Sequence, residues 1–190
     1  MSSKPGRIFV VSAPSGAGKT TLLNRLLADF PDIARSVSCT TRPPRSGERD
    51  GVDYVFLDDE TFREMVQKDL FFEWEEVHSS FYGTPKGPLV ERRALGLDTV
   101  LDIDIRGAMS LRRAYPDACL IFLLPPSLEA LEDRLKARRT EAPEALKRRL
   151  DNAKREMAER DKFDYVIIND NVDRAYQELR AIVDKVRRHP

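Results

Sequence analysis

The sequence predicts an α/β fold in which helices cover both faces of a parallel sheet. Four segments are short, apolar and bounded by turn or capping residues, which is typical of buried strands. A helical pattern follows each of them, so each strand connects to the next through a crossover, and this places the strands parallel. Ligands of such sheets bind at the carboxyl ends of the strands. We therefore expect the functional residues at that edge.

The predicted strands and helices alternate along the chain. The strands cover residues 8–11, 99–103, 120–124 and 165–168. The helical patterns cover residues 20–30, 108–114, a segment that begins at Leu128, and 172–187. A length of 190 residues suits one substantial core, so we expect a single domain with insertions.

The charge balance argues against nucleic acid or an anionic membrane as a partner. The 32 basic and 32 acidic residues give a formal net charge of zero, so no global field attracts polyanions. Cys39 and Cys119 have no metal-ligand spacing, which suits a reducing compartment without disulfides. No segment has the pattern of a membrane span or a signal peptide, so the predicted location is cytoplasmic.

Residues 12–21, Ser-Ala-Pro-Ser-Gly-Ala-Gly-Lys-Thr-Thr, have the pattern of a phosphate-binding loop. They connect the first predicted strand to the first helix, which aims backbone N–H groups and the positive end of the helix dipole at one point. Lys19 would reach the β- and γ-phosphates of a nucleoside triphosphate, and the Thr20 hydroxyl would bind its magnesium ion. Ala13 stands where the usual pattern has glycine. The alternative is a turn that only links strand and helix. In that case the lysine and the hydroxyl residue would follow the last glycine by coincidence.

Two carboxylates stand at the carboxyl end of the second predicted strand. Asp102 is the candidate for orienting magnesium, directly or through its waters, because an acidic residue at this place faces the phosphate loop. Asp104 has the alternative role of capping the helix that follows.

Two insertions interrupt the alternation of strands and helices. The first covers about residues 36–84, with predicted strands at 36–41, 53–56 and 71–75 and a helix at 59–68 whose N-cap is Asp58. The second follows residues 125–126, with one helix to about residue 139 and another from Pro143 to about residue 160. The dense Arg, Lys and Glu residues of the second insertion are equally consistent with a solvated helix face.

A proline-stiffened loop in the first insertion is a second candidate anion site. Arg42 and Arg45 offer forked donors to the oxygens of a phosphate, and Tyr54 adds a hydroxyl donor. Two arginines on a polar loop are often only solvated, so this pattern alone leaves both interpretations open.

Several motifs together resemble the guanylate kinases. They follow the order and approximate spacing of that family: residues 12–19, Ser-Cys-Thr-Thr-Arg-Pro-Pro-Arg at 38–45, Phe-Glu-Trp at 72–74, Phe-Tyr-Gly-Thr at 81–84, Leu-Asp-Ile-Asp at 101–104 and Ile-Asn-Asp at 168–170. The resemblance implies a three-layer phosphate-loop NTPase fold with a parallel central sheet, an inserted mixed-β subdomain that binds a nucleoside monophosphate, and a helical lid. The core would comprise residues 1–35, 86–126 and 162–190, the GMP subdomain residues 36–85, and the lid residues 127–161.

The resemblance also implies a reaction. Guanylate kinases transfer the terminal phosphoryl group of ATP to GMP, giving ADP and GDP, so the implied partners are ATP and GMP, with dGMP as a further acceptor, and the implied cofactor is Mg²⁺. No nucleophile motif indicates a covalent phospho-enzyme. The simplest mechanism is direct in-line transfer, in which the largely ionised GMP phosphate attacks without a strong general base.

The resemblance assigns site residues in four groups. The residues implied to bind ATP are Ser15, Gly16, Ala17, Gly18, Lys19, Thr20, Thr21 and Asn169. The residues implied to bind GMP are Ser38, Arg42, Arg45, Tyr54, Glu73, Tyr82, Gly83, Thr84 and Asp104. The implied catalytic residues are Lys19, Arg42, Arg134, Arg138 and Arg149. The implied metal-side residues are Thr20 and Asp102.

The chemistry of Glu73 suits its implied role as the reader of guanine. Guanine presents N1–H and its exocyclic amine side by side, and one carboxylate accepts from both. Adenine has an acceptor at N1 and no such amine, so it would leave a buried carboxylate unpaired. Ser38 would donate to guanine O6. Without the resemblance, the favoured interpretation of Glu73 is a polar-face residue of a half-exposed strand.

The implied lid arginines lie in the second insertion. Arg134 and Arg138 are four residues apart and share a helix face, and Arg149 is on the following helix. Arginines that bridge two phosphates stabilise the charge of the transition state. The adjacent Arg139 leaves open which of the two neighbours points inward. Asn169 would touch adenine, although an Asn-Asp pair is also good turn chemistry.

Two other functions remain open at this point. The first is an inactive guanylate-kinase-like module that binds protein partners, against which the presence of Lys19 and Thr20 argues. The second is a phosphate-loop kinase for another phosphorylated acceptor, against which Glu73 and Ser38 argue. The sequence leaves the oligomeric state undetermined.

Overall fold

The computed structural model describes residues 4–77, 79–137 and 143–188, and the elements below are those of that part of the chain. In chain order they are β1 (Ile8–Ser12), α1 (Lys19–Asp29), β2 (Ala34–Arg35), β3 (Cys39–Thr40), β4 (Val55–Phe56), α2 (Asp59–Gln67), β5 (Phe71–Val77), β6 (Ser80–Pro85), α3 (Lys86–Ala94), β7 (Thr99–Asp102), α4 (Ile105–Ala114), β8 (Cys119–Leu124), α5 (Leu128–Ala137), α6 (Pro143–Ala158), a 3-10 turn (Arg160–Lys162), β9 (Tyr165–Ile168) and α7 (Val172–Arg188).

The chain divides into two compact units. Unit 1 contains the described residues among 1–8 and 33–118, and unit 2 contains those among 9–32 and 119–190. The functional division into core, GMP subdomain and lid is a different partition, and it stays a prediction. No helix within the described ranges is long and apolar enough to cross a membrane.

Unit 2 is built on parallel strands. β8 pairs with β1 on one side, from Phe9 opposite Cys119, and with β9 on the other, from Ile121 opposite Tyr165. All residues of β1 and β8 are buried, which explains why both are continuous apolar runs rather than alternating ones. This register brings the carboxyl ends of the three strands to one edge, where the phosphate loop begins.

Unit 1 combines a short parallel pair with a mixed sheet. β2 and β7 are parallel, with Ala34 opposite Thr99. The second sheet has the order β4-β3-β6-β5, in which β3 and β4 are parallel and the other pairs are antiparallel. Phe62 of α2 stacks on Phe71 and Phe81, with ring centroids 4.6 and 5.4 Å apart, and this cluster anchors α2 against the mixed sheet.

The α/β class, the parallel strands and the mixed-β insertion are confirmed. The strand predicted at 165–168 has those bounds, but the prediction that it is buried is wrong, because Val166 and Ile168 are 41% and 49% exposed. The bounds of the other three apolar strands lie within one residue of their predicted positions. The N-cap prediction for Asp58 is also confirmed, because its side chain accepts a hydrogen bond from the Thr61 amide. Leu57, which precedes this cap, packs against the cluster that contains Phe62.

Four boundary predictions are wrong. The strand predicted at 71–75 continues to Val77. The strand predicted at 36–41 is limited to Cys39–Thr40, and a separate strand, Ala34–Arg35, precedes it, because the Ser36 amide bonds to Val100 of the other sheet. The strand predicted at 53–56 is limited to Val55–Phe56. The helix predicted at 108–114 begins at Ile105, because Asp104 caps it.

Candidate active site

The loop between β1 and α1 surrounds a cavity at the amino end of α1. This cavity, the loop cavity, has a volume of about 330 Å³. Its lining residues are Ala13, Pro14, Ser15, Gly16, Gly18, Lys19, Thr20, Thr21 and Glu156. Gly18 is the N-cap of α1 and, as a glycine, has no side chain to cap this helix end. The amide groups of the first turn and the helix dipole therefore act on the cavity, which favours an anion there.

Two glycines give the loop its backbone path. Gly16 and Gly18 have φ angles of 94° and 99°, in the left-handed region that side chains disfavour. A Cβ atom on Gly18 would lie 2.3 Å from Nδ2 of Asn169. Asp69 and Ser79 are the non-glycine residues with positive φ in the described ranges, so Ala13 has an ordinary backbone angle. The first position of the loop pattern therefore does not need glycine in this chain.

Asn169 holds the phosphate loop through a side-chain hydrogen bond. It follows β9, its amide N–H donates to the Leu124 carbonyl at 2.8 Å, and its side chain is 2% exposed. Nδ2 donates to the Ala17 carbonyl at 2.6 Å. Asn169 thus joins the ends of β8 and β9 to the loop, while the adenine contact predicted for it remains a prediction.

Two of the predicted lid arginines contact the phosphate loop or its support. Arg134 of α5 donates from Nη2 to the Asn169 carbonyl at 2.8 Å and from Nη1 towards the Ala17 carbonyl at 3.5 Å. Arg149 of α6 donates to the Ser15 hydroxyl at 2.5 Å. The third predicted arginine, Arg138, lies outside the described residues, as does Arg139. The structure thus brings Arg134 and Arg149 to one loop of unit 2.

A second cavity lies in unit 1. This cavity, the Glu73 pocket, is an open cleft with a volume of about 300 Å³, and it is lined by the mixed sheet and the end of β7. The predicted GMP or metal-side residues in its lining are Ser38, Tyr54, Glu73, Tyr82, Gly83, Asp102 and Asp104. It also includes Glu75, Val77 and Ile103, which we did not predict. The alternation of β5 supplies the missed signal, because residues 73, 75 and 77 share one strand face.

Glu73 is held by a neighbour across the antiparallel pair. Thr84, which is 1% exposed, stands opposite Glu73 and donates its hydroxyl hydrogen to Oε1 at 2.5 Å. Burial raises the pKa of the Glu73 carboxyl above its ordinary value. The Thr84 hydrogen bond opposes this shift, and the charges of Asp104 and Glu75 add to it. Glu73 is therefore a half-buried, partly desolvated carboxylate with one oxygen positioned by the fold.

Arg42 is the arginine that the structure places beside the predicted phosphate ligands. Its guanidinium lies over the Tyr54 ring, 5.5 Å from the centroid, and Tyr54 is in edge contact with Tyr82. Nη2 donates to Oε1 of Glu48 at 2.9 Å. Arg45 is exposed, and its backbone N–H donates to Oε2 of the same Glu48. Glu48 was not predicted, because a carboxylate beside two arginines resembles any solvated loop charge.

The two strand-end aspartates differ in their contacts. Asp102 ends β7, and its Oδ2 accepts from Arg35 of β2 at 2.6 Å. Asp104 is the N-cap of α4, and its Oδ1 accepts from the Gly107 amide at 2.7 Å. The capping alternative for Asp104 is thus confirmed, and its contact with guanine stays a prediction.

The donor chemistry of the predicted metal-side residues suits magnesium. Thr20 offers a hydroxyl in the first turn of α1, and Asp102 offers a carboxylate, both oxygen ligands of the kind that Mg²⁺ takes. Mg²⁺ on a nucleotide needs one or two protein oxygens beside the phosphates and waters. Within the described part of the chain no three His, Cys, Asp or Glu side chains form a cluster able to hold a metal ion.

Comparisons with known proteins agree on one family. Residues 5–186 match the family model described as "Guanylate kinase". The chain is 50% identical over 178 residues to a guanylate kinase of Syntrophotalea carbinolica, covering 94% of this chain and 85% of that one. It is also 50% identical over 184 residues to a guanylate kinase of Symbiobacterium thermophilum, covering 96% and 87% of the two chains. The crystal structure of guanylate kinase from Anaplasma phagocytophilum superposes with a TM-score of 0.73 at 32% identity and covers 96% of this chain and 86% of its own.

Proposed function

The chain belongs to the guanylate kinase family and transfers a phosphoryl group from ATP to GMP, and we propose that the loop cavity holds ATP while the Glu73 pocket holds GMP. The observation that carries this assignment is the Glu73 carboxylate. It lies in one pocket with the phenols of Tyr54 and Tyr82, so a base-reading group and phosphate-binding groups line the same cavity.

Glu73 reads guanine through its two acceptor oxygens. The carboxylate accepts from N1–H and from the exocyclic amine of guanine, while the Thr84 hydroxyl keeps Oε1 in place. Adenine offers neither donor at these positions, so it leaves the desolvated carboxylate unpaired. Ser38 and Asp104 line the same pocket and complete the polar surroundings of the base.

Arg42, Tyr54 and Tyr82 bind the phosphate of GMP. The contact of the Arg42 guanidinium with the Tyr54 ring supports this role, because it holds a forked donor beside a phenol at the pocket wall. Arg45 and Gly83 belong to the same proposed group, Arg45 from the loop and Gly83 from the pocket lining. The GMP phosphate is largely ionised at neutral pH, so its oxygen attacks without a dedicated base.

The loop cavity binds the phosphates of ATP. Its backbone amides and Lys19 hold the β- and γ-phosphates, and Arg134 and Arg149 stabilise the charge that moves between the nucleotides. Arg138 has the same proposed role. Thr20 would offer its hydroxyl to Mg²⁺, and Asp102 is the other proposed metal-side residue; the ion would neutralise the phosphate oxygens. The reaction is a direct in-line displacement.

A coupled assay of ADP release tests the proposal. GMP, dGMP, AMP, CMP and UMP are offered as acceptors with ATP and Mg²⁺, and we expect release with GMP at least about 100-fold faster than with AMP, as polar recognition pockets achieve. A chain without GMP-dependent ADP release, which is the behaviour of a protein-binding module, contradicts the function. Equal rates with GMP and AMP contradict the role of Glu73 instead. The cytoplasmic location stays a prediction.

A further inference from the structure

Glu48 uses both oxygens of its carboxylate within the loop that carries Arg42 and Arg45. Oε1 accepts from Nη2 of Arg42 at 2.9 Å, and Oε2 accepts from the Arg45 backbone N–H at 2.7 Å. The side chains of Arg42 and Glu48 are only 14% and 19% exposed. A carboxylate that is largely covered and bound at both oxygens is a fixed part of the loop rather than a solvated charge.

Residues 42–48, the part of the loop that carries the arginines, have a single backbone–backbone hydrogen bond among themselves, so this part relies on the Glu48 carboxylate. Pro43 and Pro44 carry no N–H donor, and the loop lies between β3 and β4 without being part of a strand. A turn from Arg45 to Glu48 is closed by one backbone bond of 3.0 Å, in which the Glu48 amide donates to the Arg45 carbonyl. The Glu48 side chain adds the two contacts that tie this turn to Arg42.

Arg42 is held from three sides. The Glu48 carboxylate accepts a hydrogen bond from Nη2, and the Pro43 carbonyl accepts one from Nη1 at 2.6 Å. The Tyr54 ring lies beneath the guanidinium. A guanidinium has five N–H donors in a planar fork, so these two hydrogen bonds leave others for an incoming phosphate. Fixing a flexible arginine before the ligand arrives removes an ordering cost from binding.

We propose that Glu48 is a positioning residue for the phosphate of the acceptor, which it controls by orienting Arg42; this inference depends on the proposed function of the Glu73 pocket. The opposite role would be competition, in which the Glu48 carboxylate occupies Arg42 and must be displaced by the phosphate. The two roles predict opposite changes in the KM for GMP when Glu48 is removed.

The test compares Glu48→Ala and Glu48→Gln with Glu64→Ala. Glu64 is an exposed glutamate of the same unit that pairs with Lys68, so it is a matched control for the loss of one carboxylate and one ion pair. We expect Glu48→Ala to raise the KM for GMP about tenfold or more, with kcat at saturating GMP and the KM for ATP changed less than about threefold. Glu48→Gln should lie between, because an amide has one acceptor oxygen instead of two. Glu64→Ala should match the wild type.

Guanosine separates positioning from collapse of the pocket. It carries the base without a phosphate, so its inhibition constant against GMP reports the Glu73 side of the pocket alone. We expect that constant to be unchanged in both Glu48 variants. If the variants lose guanosine and GMP affinity equally, Glu48 only supports the fold and the proposal is wrong. An unchanged or lower KM for GMP in both variants also contradicts it. If Glu48→Ala fails to fold, the KM of Glu48→Gln for GMP tests the proposal. Absence of GMP-dependent ADP release in the wild type contradicts the proposed function itself.

Discussion

The Thr84 hydroxyl and the Glu73 carboxylate are joined by a 2.5 Å hydrogen bond across β5 and β6. Thr84 is buried, so its hydroxyl has a fixed position, and the bond gives one carboxylate oxygen a defined place in the pocket. Burial, together with the charges of Asp104 and Glu75, makes the same carboxylate costly to ionise. Glu73 is thus positioned for a ligand with two donors at the expense of the stability of the empty protein.

Replacement of Glu73 by alanine should remove the preference for GMP over AMP. The variant lacks the acceptors for N1–H and the exocyclic amine, and adenine no longer leaves a buried carboxylate unpaired. We expect the ratio of kcat/KM for GMP to that for AMP to fall about 100-fold or more. Steady-state assays with both acceptors measure this ratio.

Glu76→Ala is the matched control for this experiment. Glu76 is on the same strand, is exposed and does not line the Glu73 pocket. Its variant should keep the wild-type ratio. An unchanged ratio in Glu73→Ala would mean that Glu73 is only a strand residue.

Replacement of Glu73 by glutamine should stabilise the empty protein at neutral pH. The folded pKa of Glu73 lies above the ordinary value of 4.5, so the native state binds more protons than the unfolded state between these two values. The stabilisation from this group is complete below the unfolded pKa and is lost as pH rises through the folded one. Glutamine keeps an acceptor for the Thr84 hydroxyl and cannot ionise.

Thermal unfolding across a pH series measures this effect. We expect the Tm of Glu73→Gln to exceed that of the wild type at pH 7, with about 2–4 °C for each kcal/mol in a chain of this size. The difference should vanish at low pH, where Glu73 is protonated in both states. A wild type that is more stable than Glu73→Gln at pH 7 contradicts the prediction.

The sequence predicts the fold best where burial on both faces leaves a continuous apolar run. β1 and β8 are of this kind, and their register then depends only on parallel pairing. β6 and α3 were missed because Gly83 and Pro85 interrupt the strand pattern, and because α3 begins directly after Pro85 without a side-chain cap. Their positions are set by packing, for example of Gly83 against Phe71, where a Cβ atom would lie 2.9 Å from the ring.

The candidate site was predictable where spacing alone defines the chemistry. The phosphate loop is local in sequence, so its glycines and Lys19 were found directly. Glu48 and Glu75 were missed because charged residues of loops and strand faces are usually solvated, and only the folded chain shows which of them is covered by an arginine or faces a pocket. Asn169 likewise looked like turn chemistry, and its bond to the Ala17 carbonyl depends on a contact 152 positions away in the sequence.

Replacement of Gly18 by alanine should damage the phosphate loop. The φ angle of 99° is strained for a residue with a side chain, and the new methyl group would lie 2.3 Å from Nδ2 of Asn169. We expect a loss of about 1–3 kcal/mol in the free energy of unfolding and a weaker affinity for ATP. Urea denaturation and ATP binding measure the two effects.

Gly87→Ala separates this effect from the general consequence of removing a glycine. Gly87 lies in α3 without positive φ, and a Cβ atom there meets nothing within 4 Å. Alanine in a helix is favoured over glycine by about 0.5–1 kcal/mol, so this variant should be as stable as the wild type or more so. If the two variants lose the same stability, the close contact with Asn169 is not the cause.

Replacement of Arg134 by alanine should lower kcat much more than the affinity for ATP. Arg134 already donates to the Asn169 carbonyl at 2.8 Å, so the fold holds its guanidinium beside the residue that supports the phosphate loop. A cation that acts on the transferring phosphoryl group stabilises the transition state more than the bound substrates, and its loss costs about 10³ in kcat in enzymes of this class. Lys136→Ala, an exposed residue of the same helix that pairs with Glu132, is the control and should keep the wild-type rate. Steady-state kinetics with varied ATP separate the two parameters, because a purely structural role of Arg134 would weaken ATP binding through the loop and leave kcat at saturation nearly unchanged.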